Sequence, residues 1–338
     1  MPMRRKMMAL VENGKPLEFR TAPIPNPKKD EVLIRTTFAG LCHSDLHQQD
    51  GFFNLGEDGG RLPLKRFQNL PCSCGHEIEG EVIAVGEEVN VDAVRIGMAV
   101  AVYPFGGCGQ CADCAAGFEN HCSANAKRNS VGNGEGIEGG FASHVLVPHY
   151  RYCFDLSGIP KGIGGIMMCS GLTAFSALKK LGHLSDCKDI VIIGLGGVGL
   201  QAYEFAKALL GGYPSCVDVR DEVLQALAAD GDGSHAFNSN DSGAVHAIRK
   251  RNGGRGVAGV LDFVGSTSTF QLSSSIARKG ATIIQVGLIG GSMAMPLALF
   301  PLRALSIQGS FTGEFLSFPF SHSSSSSFFF FFSKIFFF

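Results

Sequence analysis

Four cysteines close together in a glycine-rich stretch are the strongest chemical signal in this chain. Cys108, Cys111, Cys114 and Cys122 follow the spacing C-x2-C-x2-C-x7-C. Four thiolates on one short loop can wrap a tetrahedral zinc ion at about 2.3 Å and leave no coordination position open. The spacing therefore predicts a structural metal site. Free buried thiols, disulfides or an iron–sulfur cluster are the alternatives, and in a reduced compartment so tight a spacing rarely serves them.

Other donors are scattered. Cys42 sits in Gly40-Leu41-Cys42-His43-Ser44-Asp45, and His76 in Gly75-His76-Glu77-Ile78-Glu79-Gly80. Cys169 sits in Met168-Cys169-Ser170-Gly171-Leu172-Thr173. A catalytic zinc needs few protein ligands and one position left for a substrate oxygen. Spacing alone brings no such ligands together, since a lone cysteine or histidine is as readily a core residue.

A third pattern is Gly194-Leu195-Gly196-Gly197-Val198-Gly199, which follows the apolar run Ile190–Gly194 and opens a helical run, Leu200–Leu210. Glycines at a strand-to-helix turn let a pyrophosphate approach the unpaired N–H groups of the helix start. Gly254-Arg255-Gly256-Val257-Ala258-Gly259 fits the same pattern but precedes a strand and opens no helix. Asp218 ends the next strand, 19 residues after Gly199. A carboxylate there accepts hydrogen bonds from ribose hydroxyls and repels a 2′-phosphate, so NAD is expected. Arg220 is the residue that would accommodate the extra phosphate of NADP.

The elements that must position these residues change character along the chain. Val32–Thr36, Ile78–Val85 and Met98–Val102 read as short strands among turn-forming clusters. Beyond Asp189 strands and helices alternate: Ser215–Val219, Glu222–Ala229, Gly259–Val264, Phe270–Arg278, Ala281–Val286 and Ala304–Gly309. That alternation predicts an α/β class with a doubly wound parallel sheet. At 338 residues the length suits two domains, with the border between residues 155 and 185.

Composition excludes several functions. A net charge of -1 and a pI near 6.8 give no bulk attraction for nucleic acid or an anionic membrane. No run reaches the ~18 apolar residues that span a bilayer, and no signal-peptide core follows the basic start. The 11 cysteines, an odd number crowded toward the first half, do not read as a secreted disulfide framework. The cytoplasm is the expected location.

The end of the chain has a different texture. From Phe315 to Ser333 every residue except His322 is Phe, Leu, Ser or Pro, the amino acids that all-pyrimidine codons encode. Gly313-Glu314-Phe315 can also be written GGT-GAG-TTT, which contains a splice-donor-like GTGAGT. The segment 315–338 is expected to be a translated intron, a genuine low-complexity tail being the alternative.

The cysteine lobe followed by a dinucleotide fold resembles the zinc-containing medium-chain dehydrogenases, over residues 7 to 313. Gly75-His76-Glu77-x-x-Gly80, then Gly86 and Val89, fits that family's zinc signature. The resemblance implies a β-rich, GroES-like catalytic domain over 1–160, a Rossmann domain over 161–314 and the aberrant tail beyond. It implies two zinc ions per chain: a structural one on the lobe, and a catalytic one on Cys42, His76 and Cys169. Asp45 would orient His76, and Glu77 would lie behind the metal and enter its coordination transiently. Cys169, where polyol dehydrogenases commonly carry Glu, favours the alcohol dehydrogenase branch.

The same resemblance implies a reaction and its residues. NAD would take hydride from a primary or secondary alcohol polarised by zinc, giving an aldehyde or ketone. Ser44 would accept the alcohol's proton and pass it through the cofactor ribose to His47, which releases it. His43 would contact the pyrophosphate, and Thr173, Val264, Gly287 and Leu288 would meet the cofactor. Ser44, Phe105 and the long loop Gly51–Pro71, with Phe52 and Phe53, would line the substrate pocket. A homodimer or homotetramer is the implied assembly. Cys72 and Cys74 depart from the family pattern, as packing residues or alternative ligands. The competing reading is a catalytically impaired product that lacks the family's closing segment; a zinc-free quinone reductase would lack the lobe and the ligand set.

Overall fold

The computed structural model describes residues 3–56, 59–64, 68–122, 130–132, 138–182, 186–231 and 233–315. The expectation for the tail beyond Phe315 lies outside the described residues. Two units emerge. One holds Met1–Phe52 and Pro63–Leu172, and the chain returns to it at Glu314. The other holds Phe53–Leu62 and Thr173–Gly313. Among the described residues no helix is long and apolar enough to cross a membrane.

Ten short strands come first: β1 (Arg4–Leu10), β2 (Glu18–Pro23), β3 (Val32–Gly40), β4 (Phe52–Asn54) and β5 (Arg61–Pro63). Then follow β6 (Cys72–Ser73), β7 (Glu77–Val85), β8 (Ala99–Val102), β9 (His144–Val147) and β10 (Cys153–Asp155). A five-stranded sheet of order β10-β8-β7-β3-β9 forms the centre of the first unit. Its β-branched residues make the core: Val32, Ile34, Ile78, Val82, Val100 and Val102 are fully buried, each contributing about 1.5–3 kcal/mol. The antiparallel register of β3 on β7 pairs Gly40 with Glu77. That single register brings Cys42, two residues past Gly40, beside His76, one residue before Glu77. A Cβ at Gly40 would overlap the Glu77 side chain, so any larger residue there would displace that carboxylate.

Helix α1 (His43–Asp50) begins at Cys42, whose N–H donates to Asp45 Oδ2 at 2.9 Å. Later the chain forms α2 (Gly164–Ile166), which continues into a π-helical turn, Met167–Gly171, and then α3 (Leu172–Lys179). Phe315 also packs into this unit. Its ring lies 5.2 Å from Tyr103 and 5.8 Å from both Tyr152 and Phe154, under the Arg151 guanidinium at 5.0 Å.

In the second unit six strands form one sheet: β11 (Ile190–Ile193), β12 (Ser215–Asp218), β13 (Ala236–Asn238), β14 (Val257–Asp262), β15 (Ala277–Gln285) and β16 (Ser306–Gly309). Every pairing is parallel, in the order β13-β12-β11-β14-β15-β16. Strands covered on both faces read as continuous apolar runs, and all four residues of β11 are buried. The order reverses between β11 and β14, the switch point at which such sheets bind nucleotides. Its helices include most of α3, then α4 (Gly197–Leu210), α5 (Asp221–Ala228), α6 (Ala244–Arg251), α7 (Thr267–Ile276) and the short α8 (Leu299–Arg303).

Three differences from the sequence expectation have physical causes. Strand β13 and helix α6 escape it, because β13 has three residues and α6 buries only Ala244 and Ile248. Helix α7 starts at Thr267 rather than Phe270, since the Ser266 side chain caps it by accepting the Thr269 N–H. It also stops earlier, Ala277 and Arg278 opening β15.

Candidate metal and nucleotide sites

Two donor groups come together in the structure. Ligand atoms of Cys42, His76, Glu77 and Cys169 lie within 4.8 Å of one another, and so do those of Cys108, Cys111, Cys114 and Cys122. In a tetrahedron with bonds of about 2.3 Å, sulfur atoms stand about 3.8 Å apart. Cys42 Sγ and Cys169 Sγ are 3.9 Å apart, as are the pairs Cys108–Cys114 and Cys111–Cys122. Cys169 Sγ is 3.3 Å from His76 Nε2. Donor types and spacings therefore fit zinc at both places.

The catalytic-type group is positioned by backbone more than by side-chain packing. Asp45 serves three neighbours: Oδ2 takes the Cys42 N–H, Oδ1 takes the Gly75 N–H at 3.1 Å, and Oδ1 faces His76 Nδ1 at 3.5 Å. His76 is thereby aimed with Nε2 toward the sulfurs, and a metal bound there would leave the ring proton on Nδ1, facing Asp45. Its pKa is pushed up to about 10: burial opposes the cation most strongly, but Asp45 and Cys42 together outweigh it. Cys42 is held down to about 3, chiefly by its hydrogen bond with Cys169, despite burial. Cys169 is raised, first by sharing that bond and then by burial. Glu77 is lifted to about 7 by burial and by the Cys42 thiolate. Metal binding at such a group requires deprotonated sulfur and a neutral imidazole and so releases protons.

Cys72 and Cys74 take no part. They are buried in an apolar cluster with Leu10, Leu17, Leu70 and Phe141, which resolves them as packing residues. Phe105 does approach, its ring 6.2 Å from that of His76. Ser44 is half-buried on α1, while His43 is exposed, its ring 4.9 Å from that of half-buried His47 and tilted 60° to it. The His47 pKa is lowered by burial and then by His43.

The four-cysteine lobe has its own scaffold. N–H groups of Cys108, Gln110 and Cys111 point at thiol sulfurs. The amides of Gln110 and Cys111 hold the Cys108 pKa down to about 6, while burial pushes Cys114 up to about 12. The sequence reading missed Glu119, which is almost completely buried. Its Oε2 accepts from the Gly107 N–H at 2.9 Å and from Tyr152 Oη at 2.6 Å, and its other oxygen pairs with Arg151. This carboxylate fastens the entrance of the lobe to the main sheet.

The glycine turn between β11 and α4 is open where a phosphate would lie and crowded elsewhere. A Cβ at Gly196 or Gly197 would meet nothing within 4 Å. At Gly199 it would overlap the Gly194 carbonyl oxygen, and at Gly194, whose φ is +87°, it would overlap Val264. Val198 is half-buried behind the turn. We expect Gly199→Ala to cost about 1–3 kcal/mol of stability, because backbone must move. Gly197→Ala should leave the melting temperature within a degree or two, ordinary for a surface change, while weakening NAD binding. Thermal unfolding with calorimetric titration of NAD checks both; equal melting curves would refute the first.

Asp218 is buried at the strand end. Its carboxylate accepts from the Leu195 N–H at 2.7 Å, from the Val219 and Arg220 N–H groups, and from the Arg220 guanidinium at 3.0 Å to each oxygen. Burial would raise its pKa, but these donors, Arg220 first, hold it down to about 2. Val264, Gly287 and Leu288 gather on the ends of β14 and β15. There Asp262, missed in the sequence, is fully buried and accepts from the Val264 and Gly265 N–H groups at 2.9 and 3.0 Å. Thr173 is buried at the start of α3.

Comparison with known proteins agrees with this architecture. Residues 28–158 match the alcohol dehydrogenase GroES-like domain, and residues 197–323 match the zinc-binding dehydrogenase domain. The chain is 35% identical to an NAD-dependent alcohol dehydrogenase of Sulfurisphaera tokodaii, over 91% of this chain and 85% of that one. Identity with the protein so described from Saccharolobus solfataricus is 33%, with the same coverage. Among solved structures, acetophenone reductase from Geotrichum candidum in complex with NAD superposes with a TM-score of 0.75 at 27% identity, covering 94% and 85% of the two chains. The alcohol dehydrogenase of Aeropyrum pernix gives 0.76 at 27%, covering 92% and 86%. Fold and donor sets together define a zinc-binding dehydrogenase. More narrowly, the chain belongs to the zinc-dependent medium-chain alcohol dehydrogenase family.

Proposed function

We propose that this protein oxidises a primary or secondary alcohol to the aldehyde or ketone with NAD, using zinc held by Cys42, His76 and Cys169. The observation that carries the reading is the convergence of those three residues, 127 positions apart at their extremes, on spacings that fit one zinc ion. When bound, zinc supplies Lewis acidity toward the alcohol oxygen and NAD supplies the hydride acceptor. Glu77, the fourth donor, sits where it can exchange with a ligand. Phe105 gives the site an apolar wall suited to the carbon chain of an alcohol. Ser44 accepts the alcohol's proton as it gives up its own hydroxyl proton toward His47, whose pKa burial and then His43 lower, and His47 releases that proton to water.

The nucleotide is held by Gly194, Gly196, Gly197, Val198 and Gly199 through the helix start, with Val264, Gly287, Leu288 and Thr173 toward the nicotinamide and His43 toward the pyrophosphate. Asp218 favours NAD for two reasons: it is anionic, and it ties down the Arg220 side chain that a 2′-phosphate would need. Cys108, Cys111, Cys114 and Cys122 hold the structural zinc. A reducing cytoplasm suits these thiolates. Among the described residues β16 is an exposed edge strand, which suits pairing with a second copy, giving a homodimer or a tetramer of such pairs.

Ser44→Ala tests the relay. With both zinc ions retained, NADH formation from a simple alcohol should slow by about 10²–10⁴-fold, the usual worth of a positioned proton acceptor. Undiminished turnover in that variant would remove Ser44 from the mechanism.

A further inference from the structure

We infer that Glu79 is a positioning residue that holds Cys169 against His76 and Glu77. The inference rests on reading Cys169 as a zinc ligand. Glu79 lies on β7, three residues beyond His76, and is only 4% exposed. A carboxylate so buried is costly unless hydrogen bonds satisfy it. Glu79 spends its oxygens on one short segment of chain. The Gly162 N–H donates to both oxygens at 3.0 Å, and the Gly164 N–H donates to Oε2 at 2.9 Å.

Those amides introduce α2, which passes without interruption into the π-helical turn Met167–Gly171 carrying Cys169. A second observation points the same way. A Cβ on Gly165 would come 2.5 Å from the Glu77 carbonyl oxygen and 2.9 Å from the Ile78 nitrogen. The segment is therefore seated directly on the backbone of β7 at Glu77–Ile78, a seat only glycine allows. Glu79 draws the segment in from one side, and Gly165 lets it reach the strand that carries Glu77. Cys169, four residues further, arrives 3.3 Å from His76 Nε2.

A π-helical turn is rare and frequently found at functional sites. Here it carries Cys169, one of the donors that come together at the candidate metal site. Glu79 touches neither substrate nor cofactor; it acts through the placement of one sulfur.

The test uses the full zinc-loaded chain with Glu79→Ala and Glu79→Gln. Chelator-driven release of one zinc should accelerate by about 10–100-fold, the usual effect of losing an outer partner of a ligand. The lobe's zinc should leave at its native rate. In the cobalt-substituted variants the thiolate-to-cobalt band should shift, a change that plain loss of stability would not produce. Glu79→Gln, which keeps one acceptor oxygen but turns an NH₂ toward a glycine amide, should fall between the native protein and Glu79→Ala. A folded Glu79→Gln with native zinc release and an unshifted band would overturn the inference. So would failure of both variants to fold, which would assign Glu79 to folding as a whole. Cys169→Ser separates this from the reading beneath it. If that variant loses one zinc while Glu79→Gln does not, only the positioning role fails; if it keeps both at native rates, the ligand assignment fails.

Discussion

Cys169→Ser is expected to lower alcohol oxidation by roughly a thousandfold or more, and to reduce bound zinc from two ions per chain to one. A metal acting as a Lewis acid supplies several kcal/mol of transition-state stabilisation, and each 1.36 kcal/mol is about tenfold in rate. Serine offers a hard, neutral hydroxyl in place of a thiolate, with a shorter reach from the same Cα. The π-helical turn that carries residue 169 is buried along its whole length, so the backbone cannot advance to compensate. The remaining donors, Cys42, His76 and Glu77, would then have to hold the ion without the sulfur that now stands 3.9 Å from Cys42. Cys74→Ser is the control: its thiol lies in an apolar cluster and belongs to neither donor group, so zinc content should stay at two. Metal analysis and initial rates decide the matter. Native turnover in Cys169→Ser would remove that residue from the site.

What the sequence discloses about such a site depends on how far apart its parts lie. The lobe and the glycine turn are local, so spacing alone names the residues. Cys42, His76 and Cys169 are legible only through the short motifs around them, because no periodicity reports that β3 pairs with β7 in the register Gly40–Glu77. The buried carboxylates Glu79, Glu119 and Asp262 are not legible at all. Each looks like an ordinary acidic residue: Glu79 and Asp262 are met by backbone N–H groups, which carry no residue-type signal, and Glu119 by one such group with the side chains of Tyr152 and Arg151, remote along the chain. Asp218 is an intermediate case. Its place after the glycine motif is readable, but not its clasp on Arg220 and Leu195, which turns an isolated charge into part of the turn's framework. Strand β13 and helix α6 are obscured for a simpler reason: too few of their residues are buried to write a pattern.

Cys111→Ser should act on folding instead of chemistry. The segment from Cys108 to Cys122 contains one four-residue helix, Ala112–Ala115, and one three-residue 3₁₀ turn, Glu119–His121. So little regular structure cannot pay the ordering entropy of the loop; the metal's binding free energy must do so. Glu119, Tyr152 and Arg151 pin the base of the lobe, but Cys111 lies beyond that anchor. Removing one thiolate of four should therefore cost on the order of 4 kcal/mol, the range reached when a bound metal is lost. It should also release one zinc, while the fraction that remains folded keeps its turnover within a few-fold. Denaturant unfolding, zinc analysis and active-site-normalised rates separate the two effects. A Cys111→Ser chain with native stability but no activity would overturn this assignment and give the lobe a part in the reaction, which a closed tetrahedral site with no vacant corner does not have.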